Sequence, residues 1–217
     1  MMKIYGHPWS INTRKVLAAL GEKGGQAELV TVNLPKGEQR TPAHAARHPF
    51  LKVPVLEDGG LVLYESTAIM RYLDRAIDGP ALAPASPRES ARAEQWVSVG
   101  QSYFAPAVQP LLIEVIFRKY LGGERNAAAI DAGRAAMQRP LDVIDEWLAA
   151  HPHLAGDSFS LAELYWMPYF EYLAHAGEQG AIAGRRHLAA WWERVSARPA
   201  WREVARTGPQ PYDAALT

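Results

Sequence analysis

Ser10, Val53-Pro54 and Glu65-Ser66 have the residue types and settings that can handle a small polar ligand. Ser10 lies just ahead of a helical pattern. Its hydroxyl can cap that helix or donate to a bound thiolate, and a helix N-terminus lowers a thiol pKa from its free value of roughly 8.5. Glu65-Ser66-Thr67 opens another helix, whose unpaired N–H groups and dipole favour an anion. Ser66 can receive a carboxylate there while Glu65 pairs with an ammonium, or either side chain can simply cap the helix. Val53-Pro54 sits where a loop meets a strand. A cis bond would leave the Val53 N–H and C=O free to pair with an extended peptide, and an ordinary strand-opening proline would not. Gln39, Arg40 and Lys52 flank the same loop system and suit a second carboxylate, although singly each also reads as solvated surface.

Several chemistries are excluded or disfavoured. No GxSxG elbow surrounds Ser10, which argues against a serine hydrolase. The seven histidines form no HExxH pair, and His151 and His153 flank a proline, so no metal is expected. The absence of cysteine removes disulfides and every mechanism with a protein thiolate as nucleophile. The 23 basic residues balance 23 acidic ones without a single-sign block, so no nucleic-acid partner is expected. No apolar run approaches the roughly 18 residues of a membrane span, and the start lacks a secretory pattern. The reading is a cytoplasmic protein without a membrane partner.

The elements that must position these residues follow from periodicity. Lys3–Tyr5 reads as a strand ended by Gly6, His7 and Pro8; residues 13–23 read as a helix stopped by Gly24-Gly25; residues 27–32 read as a second strand. That β-α-β unit requires a parallel pair. After a polar loop at 35–41, residues 53–57 and 61–64 flank Asp58-Gly59-Gly60, a hairpin signal, and residues 66–77 form a helix with Ile69, Tyr72, Leu73 and Ile77 on one face. The first 77 residues thus read as β-α-β, a loop or short helix, then β-β-α. Residues 78–87 hold three prolines and read as a linker. The remainder, 88–217, is helical in pattern over 89–121, 127–150, 161–174 and 187–198. Ser160 to Glu163 spells a capping box, with Phe159 and Leu164 as its hydrophobic staple.

Trp96, Tyr103, Phe104, Val108, Leu111, Leu112, Val115 and Phe117 form an apolar series after the linker. Most such series are core. Tyr103, Phe104 and Val108, with Trp166, Tyr169 and Phe170 on a later helix, are the candidates for lining a pocket facing the first domain.

Four segments in order, YGHPWSINTRKVLAAL, HPFLKVPVLEDGGLVLYESTAIMRYL, LAGDSFSLAEL and WWERVSARPAW, resemble the glutathione transferase family, most nearly its phi class. The resemblance spans nearly the whole chain. It implies an α/β thioredoxin-like N-terminal domain (β-α-β-α-β-β-α) followed by an all-α helical-bundle domain, with glutathione as co-substrate, a small hydrophobic electrophile as second substrate, and a homodimer. It further implies that Ser10 stabilises the glutathione thiolate, Val53 beside cis-Pro54 pairs with the cysteinyl unit, Glu65 and Ser66 bind the γ-glutamyl end, and Gln39, Arg40 and Lys52 hold the glycyl carboxylate. Departures fall at His48-Pro49-Phe50-Leu51 where the phi pattern has Asn-Pro-Phe-Gly, at Lys52 where it has Gln, and at Gln39-Arg40 where it often has His-Lys. Glu163 in place of the usual Asp keeps the capping box. Without a cysteine, the mixed-disulfide chemistry that the omega and beta classes use has no nucleophile. Glutathione-dependent peroxide reduction and a non-catalytic ligandin or interaction role stand as alternatives.

Overall fold

The computed structural model describes residues 1–206, which form two compact units. One comprises Met1–Leu82 together with residues 198–206, and the other Ala83–Ala197.

In the first unit, β1 (Lys3–Gly6) and β2 (Glu28–Thr31) run parallel, joined through α1 (Ile11–Glu22), because a parallel pair needs a crossover long enough to carry a helix. A short α2 (Pro42–Ala45) follows; Thr41 caps it by accepting the His44 N–H, and Pro42 fits its first turn. β3 (Val55–Asp58) and β4 (Leu61–Tyr64) form an antiparallel hairpin. Its two linking residues, Gly59 and Gly60, both have positive φ, 55° and 94°, which the tight hairpin demands and side-chain-bearing residues resist. The sheet order is β2-β1-β3-β4, and α3 (Ser66–Ala76) packs against α1 and the hairpin. Ile4, Val16, Ala19, Leu56, Ile69, Met70 and Leu73 are wholly buried between these layers. Each large aliphatic there contributes roughly 1.5 to 3 kcal/mol.

Ile77 ends α3 in extended backbone, and Lys23 ties the following turn back to α1 through Asp74 at 3.2 Å and the Pro80 carbonyl at 3.0 Å. Lys23 and Asp74 are both almost fully buried. Losing one partner of such a pair costs more than the pair contributes.

The second unit is helical: α4 (Pro87–Val99), α5 (Ala105–Leu112), α6 (Arg118–Leu121), α7 (Ala127–Leu148), α8 (Leu161–His175), α9 (Gln179–Ala183) and α10 (Arg186–Ser196). The sequence pattern reads 89–121 as one helix. Instead, π-helical turns at Gly100–Phe104 and Ile113–Phe117 divide it. The first ends two residues before Pro106, which has no N–H to continue the α-helical ladder. α8 is buried on every side from Leu161 to Phe170, as a central helix must be. Gly100 lets the preceding helix approach it closely, for a Cβ there would come within 2.3 Å of the Tyr165 ring.

The capping box is complete. Ser160 Oγ accepts the Ala162 N–H at 3.2 Å, and the wholly buried Glu163 carboxylate accepts from the Ser160 N–H at 2.9 Å, the Ser160 hydroxyl at 2.8 Å and the Leu154 N–H at 2.6 Å.

One boundary differs from the sequence reading, which assigns everything from 88 to the end to the helical domain. α11 (Pro199–Arg206) belongs to the first unit. Its partners lie on α1: Arg198 bridges to Glu22 at 2.7 Å, Ala200 packs on Gly21, and the Arg14 guanidinium stacks over Trp201 at 5.4 Å. Helical periodicity cannot reveal which unit a helix packs on. Of the second domain expected at 88–217, residues 207–217 lie outside the described residues.

Candidate functional site

Strand register gathers the candidate residues at one end of the sheet. Tyr5, near the end of β1, pairs with Val55 at the start of β3, and Val55 pairs with Tyr64 at the end of β4. The loop leaving β1 toward Ser10, the Val53-Pro54 segment entering β3, and Glu65-Ser66 leaving β4 therefore share that end. Both α1 and α3 begin there, so two positive helix ends are brought to the same place.

Ser10 caps α1, its Oγ accepting the Thr13 N–H at 3.3 Å. A hydroxyl that accepts through oxygen still has its proton to donate. The two roles left open by the sequence are thus compatible, and the side chain remains partly exposed.

Val53-Pro54 is cis. Among the described residues no backbone group pairs with the Val53 N–H or C=O. The preceding carbonyl, Lys52 O, is held by the buried His44, whose Nε2 donates to it at 2.7 Å. An edge with free backbone groups on a fixed segment is suited to an extended peptide.

Glu65 has φ of 71° and ψ of 110°, outside the regions open to a residue with a side chain. Such strain costs on the order of 1 to 3 kcal/mol and concentrates at ligand-binding positions. No side chain caps α3, so the capping alternative for Glu65 and Ser66 is not realised. Ser66 is buried while Glu65 is exposed. Lys15 on α1 is buried with its Nζ 2.9 Å from Asn12 Oδ1. Burial pushes its pKa well down, opposed by the field of Glu65.

Gln39 and Arg40 lie on a 3₁₀ turn (Glu38–Arg40) that follows Gly37 at φ 75°. Arg40 and Lys52 are exposed, and the Gln39 side-chain oxygen is buried with no hydrogen-bond partner among the described residues.

The pocket candidates separate into two groups. Phe104, Val108, Trp166 and Phe170 are wholly buried in the helical unit, with Phe104 stacked 4.7 Å from Trp166 and 5.8 Å from Phe170. Side chains with no accessible surface offer nothing to a ligand, so these four are core in this structure. Tyr169 is nearly buried against Phe104 and Tyr165. Only Tyr103, 67% exposed on the first π-helical turn, presents a large open surface.

Sequence reading takes His7 only as a turn former and His48 only as a departure from the phi pattern, weighs histidine otherwise as a metal ligand, and so misses what His7, His44 and His48 hold in place. His7 and His48 each begin a His-Pro-aromatic triplet, and that repetition was the available signal. Among the described residues no group of three or more His, Asp or Glu could hold a metal, and no helix is long and apolar enough to cross a membrane. A groove of about 520 Å³ opens between β4 and α3, lined by Leu63, Ala68, Arg71, Tyr72, Arg75 and Ala76. None of the candidate residues lines it.

Comparison with known proteins agrees with this architecture. Residues 1–75 match the family described as glutathione S-transferase, N-terminal domain, and residues 96–199 its C-terminal domain. The chain is 36% identical over 208 residues to glutathione S-transferase F10 of Arabidopsis thaliana, covering 94% of this chain and 96% of that one. Glutathione transferase F7 from Populus trichocarpa superposes with a TM-score of 0.92 at 33% identity, covering 97% of this chain and 100% of the other. Glutathione S-transferase I from maize, in complex with an atrazine glutathione conjugate, superposes with a TM-score of 0.87 at 32% identity, covering 95% and 97%. A thioredoxin-like sheet with two helix N-termini at one end, a helical second unit and matches over almost the full length make this chain a member of the glutathione S-transferase family of enzymes, of the phi type.

Proposed function

We propose that this protein conjugates glutathione to a hydrophobic electrophile, with the Ser10 hydroxyl donating to the glutathione thiolate. The observation that carries the proposal is the Ser10 geometry: its oxygen is engaged by the Thr13 N–H, and its proton is left for a ligand at the positive end of α1. Stabilising the thiolate there raises the population of the nucleophile at neutral pH, which is electrostatic catalysis combined with positioning.

The remaining assignments follow the same end of the sheet. The Val53 backbone pairs with the cysteinyl unit, the N-terminus of α3 with Ser66 receives the γ-glutamyl carboxylate, Glu65 takes the ammonium, and Gln39, Arg40 and Lys52 hold the glycyl carboxylate. For the electrophile, a small hydrophobic compound, Tyr103 on the helical unit is the candidate with a large open surface. The protein acts as a homodimer through exposed apolar residues of this unit: Leu61 and Val62 on β4, and Phe50, whose ring lies 6.2 Å from that of Tyr64 at the end of β4.

The test is the ultraviolet absorbance of the bound thiolate as a function of pH, together with turnover of a chlorodinitrobenzene. Thiolate formation below the solution pKa with turnover supports the proposal; binding without ionisation points to a ligandin, and no binding overturns it.

A further inference from the structure

His7-Pro8-Trp9-Ser10 and His48-Pro49-Phe50-Leu51 adopt the same turn 41 residues apart in the chain. In each, the histidine carbonyl accepts the N–H three residues on, Ser10 at 2.8 Å and Leu51 at 2.9 Å. In each, the imidazole Nδ1 accepts the N–H two residues on, from Trp9 at 3.1 Å and from Phe50 at 3.3 Å. Each ring also meets that aromatic edge-on, at 5.4 Å and 6.3 Å. Proline at the second position fixes the turn, and the imidazole takes the place that an Asn or Asp side chain usually fills. The dipeptide alone does not dictate this: His151-Pro152 directs its ring nitrogen to the Trp147 carbonyl instead.

An Nδ1 that accepts an N–H must carry no proton, so both turns require a neutral ring. Protonation would place two donors face to face and break the turn's side-chain bond. The first turn delivers Ser10 and the second leads into Lys52-Val53. We propose that His7 and His48 are positioning residues that hold the two ligand-facing loops only while their imidazoles are neutral, so that glutathione affinity declines in mild acid.

Both rings are buried, His7 at 7% and His48 at 2% exposure. Burial pushes both pKa values below the usual 6.5. Burial is the whole cause for His7. Around His48 the Glu65 carboxylate opposes the shift, whereas His44 from α2 and Lys52 from the loop reinforce it. The Tyr64 ring covers His48 at 4.8 Å, and His44 stacks beyond at 6.5 Å. Protonation therefore sets in only below the unperturbed value.

This inference rests on the glutathione reading, and the experiment separates the two. S-methylglutathione, which has no thiol to titrate, is bound to the protein by calorimetry at about pH 8 and about pH 5.5. The expected result is a loss of roughly fivefold or more in affinity in the wild-type protein, and a loss under twofold in the His7→Asn/His48→Asn double variant, whose amide oxygens accept the same N–H groups without titrating. The imidazole ¹⁵N shifts of the wild-type protein give the midpoints of both rings independently of any variant, and these must coincide with the affinity change. Equal affinity at both pH values, an unchanged pH profile in the double variant, or ring midpoints away from the affinity change overturns the positioning role alone. Absence of binding at both pH values overturns the glutathione reading and this inference with it.

Discussion

Ser10 Oγ accepts the Thr13 N–H at 3.3 Å, so a single side chain both starts α1 and keeps a proton for a ligand at that helix's positive end. Ser10→Ala removes both functions. Loss of the cap lowers stability by about 1 kcal/mol. Loss of the donor lowers conjugation at neutral pH by roughly 10²-fold while glutathione affinity changes little. The pH at which bound thiolate forms, read by its absorbance, moves upward; an unmoved profile removes Ser10 from the mechanism.

Glu65 is exposed, strained and at the start of an uncapped helix, and its field supports the buried Lys15 cation. Glu65→Gln is expected to weaken glutathione binding by roughly tenfold or more, the value of one hydrogen bond to a charged group, with only a small drop in melting temperature from the lost support of Lys15. Calorimetric titration checks it. Unaltered affinity would place the γ-glutamyl ammonium elsewhere.

Phe50 is 66% exposed on a fixed turn, with Leu61 and Val62 also exposed. A large aromatic in that setting is expected to seat in a second copy. Phe50→Asp should yield a monomer in sedimentation velocity at micromolar concentration, while the wild-type protein sediments as a dimer. A monomeric wild-type protein contradicts the homodimer.

Glu163 accepts three hydrogen bonds while wholly buried. Glu163→Ala leaves the N–H groups of Leu154 and Ser160 without that partner and should destabilise the fold by about 3 kcal/mol in denaturant titrations. Glu163→Asp, the shorter acid, should recover part of that loss.

Folding stability should fall in mild acid. The folded-state pKa values of His7 and His48 lie below the unfolded value near 6.5, so the folded chain binds fewer protons there. Their contribution is fully present above about pH 6.5 and is lost as pH falls through the folded values. The midpoint of urea unfolding should therefore be lower near pH 5.5 than near pH 7.5, and less so for the double Asn variant.

The elements that carry a local signal were legible in both units. The Asp58-Gly59-Gly60 hairpin, the helix after Glu65 and the Ser160 capping box all appear where pattern and turn chemistry place them. Pro54 was ambiguous because both isomers satisfy the same residues, and the bond is cis. The aromatic series was harder to divide. Phe104 and Tyr103 are neighbours with equally apolar rings, yet the π-helical turn buries one completely and exposes the other. Helical spacing cannot foresee a register change. Nor could it reveal that His44 secures the Lys52 carbonyl, a contact that depends on where a four-residue helix comes to rest.

The return of α11 to α1 makes the first unit discontinuous along the chain. A growing polypeptide can form the sheet and its hairpin early, but the surface of α1 that meets Trp201 and Arg198 stays uncovered until the intervening helical unit has been synthesised. The two units are consequently bound in order of assembly. Excising the first 82 residues would release the sheet with an open flank, and the helical segment acts as a long insertion between α1's early and late partners.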